Sequence, residues 1–274
     1  MHTDKRDVRS DFTDLDRAAD PSHLVRFLNS VSALDVVRAY KRRSFEVLGV
    51  QTGQAMLDLG CGNGDDVREL ARLVGPTGRV VGVDRSETLI ATARERLADE
   101  RLSVQFQVGD GYQLDFAEET FDGCRADRVF HHLEQPAGVM AELVRVVRPN
   151  ARVVTIDPDL ETGIVDAPDR KLTRTLLNLN CDSYRNGWIA RHMRALFKEA
   201  GLVDVVVEPT TVPLEDYGLA NQILALEGTV TRAEEAGLAS AADGQRWLAA
   251  LQEASAAGRF FGSITLFMVS GRKG

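Results

Sequence analysis

MLDLGCGNG, residues 56–64, is an apolar run that ends in an acid and then places a glycine at every second position, Gly60, Gly62 and Gly64. An apolar run bounded by glycine reads as a strand, residues 55–59, entering a tight loop. Glycine permits positive φ there and lets the backbone approach a ligand closely. The spacing also separates cofactor classes. A dinucleotide loop needs Gly-x-Gly-x-x-Gly so that a helix N-terminus can receive the pyrophosphate. Here Asp65 and Asp66 follow the third glycine directly. Two carboxylates at a helix start repel a diphosphate, which disfavours NAD and FAD, whereas a ligand carrying sulfonium and ammonium charges meets no such penalty. The plainer alternative is that the two acids only cap the helix.

Outward from this loop, short apolar runs alternate with helical patterns. Residues 79–83, 104–108, 121–125 and 151–157 read as further strands, and residues 65–74, 86–101 and 138–147 as helices. Strict alternation of this kind predicts an α/β fold with a doubly wound, Rossmann-like parallel sheet and helices on both faces. Ahead of the loop, Leu24, Phe27, Leu28, Val31, Leu34, Val37 and Val47 recur at helical spacing and predict an amphipathic leader. Beyond Asp157, residues 158–201 show no strand and two helices, about 170–179 and 186–200. A strand at 203–207, a helical stretch at 217–257 and a last strand at 263–269 complete the chain. The expected organisation is one domain over 1–274, with a helical leader (1–50), a cofactor-binding core (51–157), and the remaining strands with helical cap insertions (158–274).

Asp84 follows the second strand, about one βαβ unit after the glycines, where an acid can accept hydrogen bonds from both ribose hydroxyls; alone it would read as a helix cap. Asp110, between Gly109 and Gly111 after the third strand, can bond an adenine amino group or simply form a turn. The fourth strand leads from Phe121 and Asp122 into His131, His132 and Leu133.

Together these four motifs resemble the class I S-adenosylmethionine-dependent methyltransferases, in particular the methyltransferase type 11 (UbiE-like) small-molecule branch. The resemblance covers about residues 47–156 and continues more weakly to Val269. It implies a seven-stranded sheet with the last strand antiparallel, and S-adenosylmethionine as cofactor with S-adenosylhomocysteine as product. By that resemblance Asp58 and the loop Gly60, Cys61, Gly62, Asn63 and Gly64 surround the methionine moiety, Asp84 with Arg85 the ribose, and Asp110 with Gly111 the adenine. Arg125 and Ala126 complete the cofactor site. Arg125, Asp127 and Arg128 stand where the family more often has small or apolar residues, a variant similar to actinobacterial natural-product methyltransferases.

Methyl transfer is a displacement that needs alignment and exclusion of water. A hydroxyl acceptor also needs a base, and His131 or His132 has a suitable pKa and position, at most one of them facing the cleft. The alternative is that both are structural. The histidines favour oxygen as the methylated atom over nitrogen or carbon. Asp157 and Asp159 lie at the carboxyl edge of the fifth strand, where such sheets bind ligands, and can meet an acceptor or end the strand. Tyr40, Asp157, Tyr184, Trp188 and Phe261 are the expected substrate-binding residues, with Phe12, Tyr217 and Phe260 as further aromatics of the leader and insertions. Tyr40, Lys41 and Arg42 can reach the cofactor carboxylate or form a solvated cluster.

The bulk properties agree. Among 274 residues, 33 Lys and Arg stand against 41 Asp and Glu, a net charge of -8 that repels nucleic acid. Cys61, Cys124 and Cys181 are too far apart for a zinc or redox motif and suit a reducing cytoplasm. No apolar stretch has signal-peptide or membrane-spanning length. The sequence supports no catalytic metal. A small-molecule acceptor is the expected partner, with no nucleic acid and no membrane. Apolar helices at 219–226 and 247–251 can serve a homodimer as readily as a roof over the site. The competing readings are an S-adenosylmethionine-binding cyclase that does not methylate, a dehydrogenase, and a non-catalytic scaffold.

Overall fold

The computed structural model describes residues 31–274; Phe12, Leu24, Phe27 and Leu28 lie outside them. The run at 55–59 forms β1 (Ala55–Leu59), buried along its whole length. Met56 packs into the hydrophobic layer on one face and Leu57 into the layer on the other, as a strand covered by helices on both sides requires. Before β1 comes α1 (Asp35–Leu48), and after it α2 (Asp65–Val74), β2 (Arg79–Asp84), α3 (Glu87–Leu97), β3 (Val104–Val108) and β4 (Phe121–Asp127). A short 3-10 turn (Phe130–His132) leads into α4 (Pro136–Val146) and β5 (Val147–Val165). Then follow α5 (Arg170–Asp182), α6 (Ile189–Glu199), β6 (Leu202–Leu214), α7 (Tyr217–Leu224), α8 (Leu226–Glu235), α9 (Ala241–Ala256) and β7 (Gly262–Lys273).

The seven strands form one sheet in the order β3-β2-β1-β4-β5-β7-β6. Strands β1 to β5 run parallel, and β7 enters between β5 and β6 antiparallel to both. The chain winds outward from β1 to β3, then returns to place β4 on the other side of β1. Such a switch point leaves a crevice at the carboxyl ends of the two central strands. Helices α1 and α2 contribute to one apolar layer, while α4 and α6 build the other.

Several stretches depart from the sequence reading. Strand β5 continues past Asp157 to Val165, into a segment with no strand pattern of its own. Main-chain pairing to β7 holds it extended, from Arg152↔Arg272 to Val165↔Gly262, with a register shift between Asp159 and Ile164. The helical stretch at 217–257 is three helices. Ala225, at φ 48, turns the chain between α7 and α8, and the Ser240 hydroxyl caps α9 by accepting from the Asp243 N–H. Strand β6 also outruns its apolar core, carrying Pro209 and Pro213 on the sheet edge, where a missing N–H leaves no central ladder broken.

Helix α6 seals the end of the second layer with Met193 and Phe197, both fully buried. A Cβ on Gly271 would stand 2.9 Å from the Phe197 ring, so β7 and this ring are fitted closely. Phe197→Ala is expected to lower unfolding free energy by about 3–5 kcal/mol. A lowered guanidinium midpoint with an unchanged far-ultraviolet circular dichroism spectrum would register it.

Candidate active site

The carboxyl ends of β1, β2, β3 and β4 surround one cavity. Its first half is lined by Gly60, Cys61, Gly62 and Asn63 after β1, Asp84 and Arg85 after β2, and Asp110, Gly111 and Tyr112 after β3. Gly60 has φ 69, and a Cβ there would lie 2.3 Å from the Val129 side chain, so only glycine lets the two loops meet. Both oxygens of Asp84 accept from backbone, one from Gly62 N–H at 2.9 Å and one from Ser86 N–H at 3.0 Å. The acid therefore braces the glycine loop as well as facing the cavity. Asp110 accepts from Tyr112 N–H at 3.0 Å in a tight turn, and the Tyr112 hydroxyl accepts from the N–H groups of Glu134 and Gln135.

The two acids that follow the loop do not cap α2; its N-cap is Gly64, with no side-chain bond. Asp65 pairs with Arg96 at 2.9 Å. Asp66 lies 2.7 Å from Lys41 and 2.8 Å from Arg125. The sheet register brings a further carboxylate to Arg125: Asp58 and Arg125 sit opposite each other on β1 and β4, on the same face, with 3.1 Å between Oδ1 and Nη1. Asp127, two residues along that face, reaches Arg125 at 3.4 Å, Lys41 at 3.5 Å and Arg128 at 3.4 Å, and the Tyr40 hydroxyl donates to it at 3.4 Å. Asp58, Asp66 and Asp127 thus share a buried cluster with Lys41, Arg125 and Arg128. Burial raises the Asp58 carboxyl; for Asp66 burial pushes the same way, but Lys41 and Arg125 outweigh it and hold the group well below the usual carboxylate range. Asp58, Gly64, Arg125 and Ala126 lie behind the cavity wall, and Arg42 is exposed on the leader.

The second half of the cavity is apolar. Val37 and Tyr40 of α1, Leu160 of β5, Val212 of β6, Gln222 and Ile223 of α7, and Ile264 and Leu266 of β7 line it. Arg128, His131, His132 and Tyr184 occupy the seam between the halves. Both histidines line the cavity, where at most one was expected; their rings stand 3.9 Å apart, with Tyr184 5.7 Å from His131.

Asp157 is fully buried and reaches the cavity only through His131. Its Oδ1 accepts from the His131 backbone N–H at 3.1 Å and lies 2.8 Å from Nδ1, while Oδ2 makes no hydrogen bond. Nδ1–H donation to the carboxylate leaves Nε2 as the lone-pair nitrogen. Burial, reinforced by Arg128, depresses the His131 ring to about 3, so it is neutral at physiological pH. Burial raises Asp157 well above its ordinary range, and burial, followed by His131, lowers His132. Asp159 is held in a two-bond pair with Arg191, at 2.6 and 2.8 Å.

Trp188 and Phe261 are exposed, at 46% and 44%, and lie off the cavity lining. Trp247 and Leu251 are buried within the chain itself, the indole donating to Thr173. Cavity residues that no sequence motif singled out include Tyr112, Val129, Leu160, Val212 and Leu266, whereas Gln222 and Ile223 come from the helix that the sequence offered as a roof over the site. Each reaches the site only by folding. Among the described residues no helix is long and apolar enough to cross a membrane, and no group of three or more metal-ligating side chains is present.

Residues 51–201 match the family described as methyltransferase domain. An uncharacterized 37.1 kDa protein of transposon TN4556 from Streptomyces fradiae is 37% identical over 246 residues, spanning 89% of this chain and 70% of its own length. The demethylmenaquinone methyltransferase of Halalkalibacterium halodurans is 30% identical over 204 residues, spanning 66% of this chain and 81% of its own. In fold, the chain is similar to the YcgJ protein of Bacillus subtilis, with a TM-score of 0.61 at 16% identity, covering 86% of this chain and 98% of that one.

Removing the central guanidinium tests the buried cluster. Arg125→Met, which leaves three carboxylates against two cations, is expected to cost about 3–5 kcal/mol of stability by denaturant unfolding. The folded-state pKa of Asp66 is depressed, so its contribution is complete at neutral pH and is lost as pH falls below about 4. Asp66→Asn should flatten that acid limb of the stability curve.

Proposed function

This chain belongs to the methyltransferase domain family and is an S-adenosylmethionine-dependent methyltransferase acting on a small molecule, and we propose that it O-methylates an apolar, ring-bearing natural product. The observation that carries the proposal is the single cavity whose polar half and apolar half meet at His131, with Asp157 fixing the imidazole from behind.

The residues present fit the cofactor. The glycine loop gives close backbone approach at Gly60 and Gly62, and Cys61 and Asn63, which line the cavity, would flank the methionine moiety. Asp84 with Arg85 would hold the ribose, and Asp110 with Gly111 the adenine. Asp58, Gly64, Arg125 and Ala126 act one layer back, setting the position of the loop rather than touching the ligand. When bound, S-adenosylmethionine supplies a methyl group activated by a sulfonium.

The chain's own residues do the rest. The apolar half orients the acceptor and excludes water, with Tyr40 and Tyr184 as its aromatic contacts. The Nε2 atom of His131 takes the proton of the acceptor hydroxyl, while Asp157 holds the orientation of the ring through Nδ1. Demethylmenaquinone, the acceptor in the name of one relative, is likewise an apolar ring compound, which supports this substrate class. Trp188 and Phe261, on the outside, have no part in it.

Purified protein with methyl-labelled S-adenosylmethionine and a panel of hydroxylated aromatic compounds is expected to give labelled product and S-adenosylhomocysteine in equal amounts. Product formed without S-adenosylhomocysteine would instead indicate cyclisation or rearrangement. His131→Gln should lower kcat by about 10²–10⁴-fold with cofactor affinity within twofold. Asp84→Ala should weaken S-adenosylmethionine binding at least tenfold, about 1.4 kcal/mol or more, by calorimetric titration.

A further inference from the structure

Arg128 is the one cation on the seam beside His131 that is held in a strained backbone conformation. Its φ is 59, in the left-handed region that a long side chain adopts at a cost of roughly 1 kcal/mol or more. Its backbone N–H donates to Ile156 O at 2.6 Å, which fixes the residue against β5. The contact with Asp127 is made by Nε, 3.4 Å from Oδ1 and shielded from solvent, while the side chain as a whole is 21% exposed and lines the cavity. A guanidinium held by one long ion pair on a cavity wall has terminal N–H groups left for a further anionic acceptor.

From this geometry, and resting on the methyl-transfer reading above, we propose that Arg128 receives the negative charge of the acceptor, which reacts as a phenolate or enolate. The terminal N–H groups of Arg128, on the same cavity wall as His131, supply the oxyanion site. His131 takes the acceptor's O–H proton on Nε2 and leaves an oxyanion against the guanidinium. The oxygen then forms its bond to the methyl carbon as the carbon–sulfur bond breaks and its electron pair returns to sulfur, and the proton leaves to solvent from His131. The same arrangement explains why a weakly basic, neutral imidazole suffices. Burial is the main cause of the low basicity of His131, and the Arg128 charge that adds to it also lowers the pKa of the hydroxyl to be deprotonated. An amine that binds as a cation is repelled, and an aliphatic alcohol is too weak an acid for this base.

The test uses 4-nitrophenol, at a pH where it is ionised, and its neutral analogue 4-nitroanisole, each titrated into the intact protein saturated with S-adenosylhomocysteine. The wild type is expected to bind the phenolate at least tenfold more tightly, as a charge-assisted hydrogen bond supports. Arg128→Gln should bring that ratio to about one, Arg128→Lys should keep part of it, and neither should change S-adenosylhomocysteine affinity by more than about twofold. A ratio near one in the wild type, a ratio unaltered by Arg128→Gln, or failure of both probes to bind would overturn the proposal. So would a loss confined to S-adenosylhomocysteine affinity, which would assign Arg128 to the cofactor's carboxylate. Failure of the methyl-transfer reading would show separately, as label that stays on S-adenosylmethionine with every acceptor.

Discussion

The Arg125 guanidinium, fully buried beneath the sheet, is tolerable only because carboxylates converge on it. Asp58 meets it from the neighbouring strand, Asp66 from the first turn of α2, and Asp127 from its own strand. Lys41 closes the cluster from α1. Four elements around the cavity are thereby tied at one point. The glycine loop runs between two of the cluster's members, Asp58 and Asp66, so its course is set by ion pairs as much as by the flexibility of glycine. The leader helix is part of the site for the same reason: the groups that hold α1 to the core also place Tyr40 and Val37 on the cavity wall.

The reacting end of the cavity is organised on a different principle. The first half is built from loops after successive parallel strands, each contributing a few residues. The second half is assembled from α1, α7 and the far strands β5, β6 and β7, with mainly apolar side chains that have little in common except where they end up. Between them, the turn after β4 carries Arg128, His131 and His132. Asp157 fixes one histidine from β5, so β5 and the turn after β4 together position the imidazole on the cavity wall. The low dielectric that depresses His131 is the consequence of closing this seam off from water.

What the sequence determined by itself is the part of the molecule whose physics is local. The strand at 55–59 and the helix at 65–74 have the bounds that their apolar pattern predicts, and Asp84 and Asp110 fall on the cavity because they follow strands. A period of two or 3.6 residues and a glycine loop are readable in a window of a dozen residues. Only the tertiary structure decided the rest. Strand β5 extends to Val165 because β7, about a hundred residues later, supplies its hydrogen bonds. Asp66 proved to be an ion-pair partner and not a helix cap because Lys41 and Arg125 arrive from two other elements. Arg125, an anomaly in its own strand, is explained by a residue opposite it in the sheet register, and the second half of the cavity by helices with no motif at all. These features depend on charges and apolar surfaces brought together across long stretches of chain, and no local pattern records which surfaces will meet.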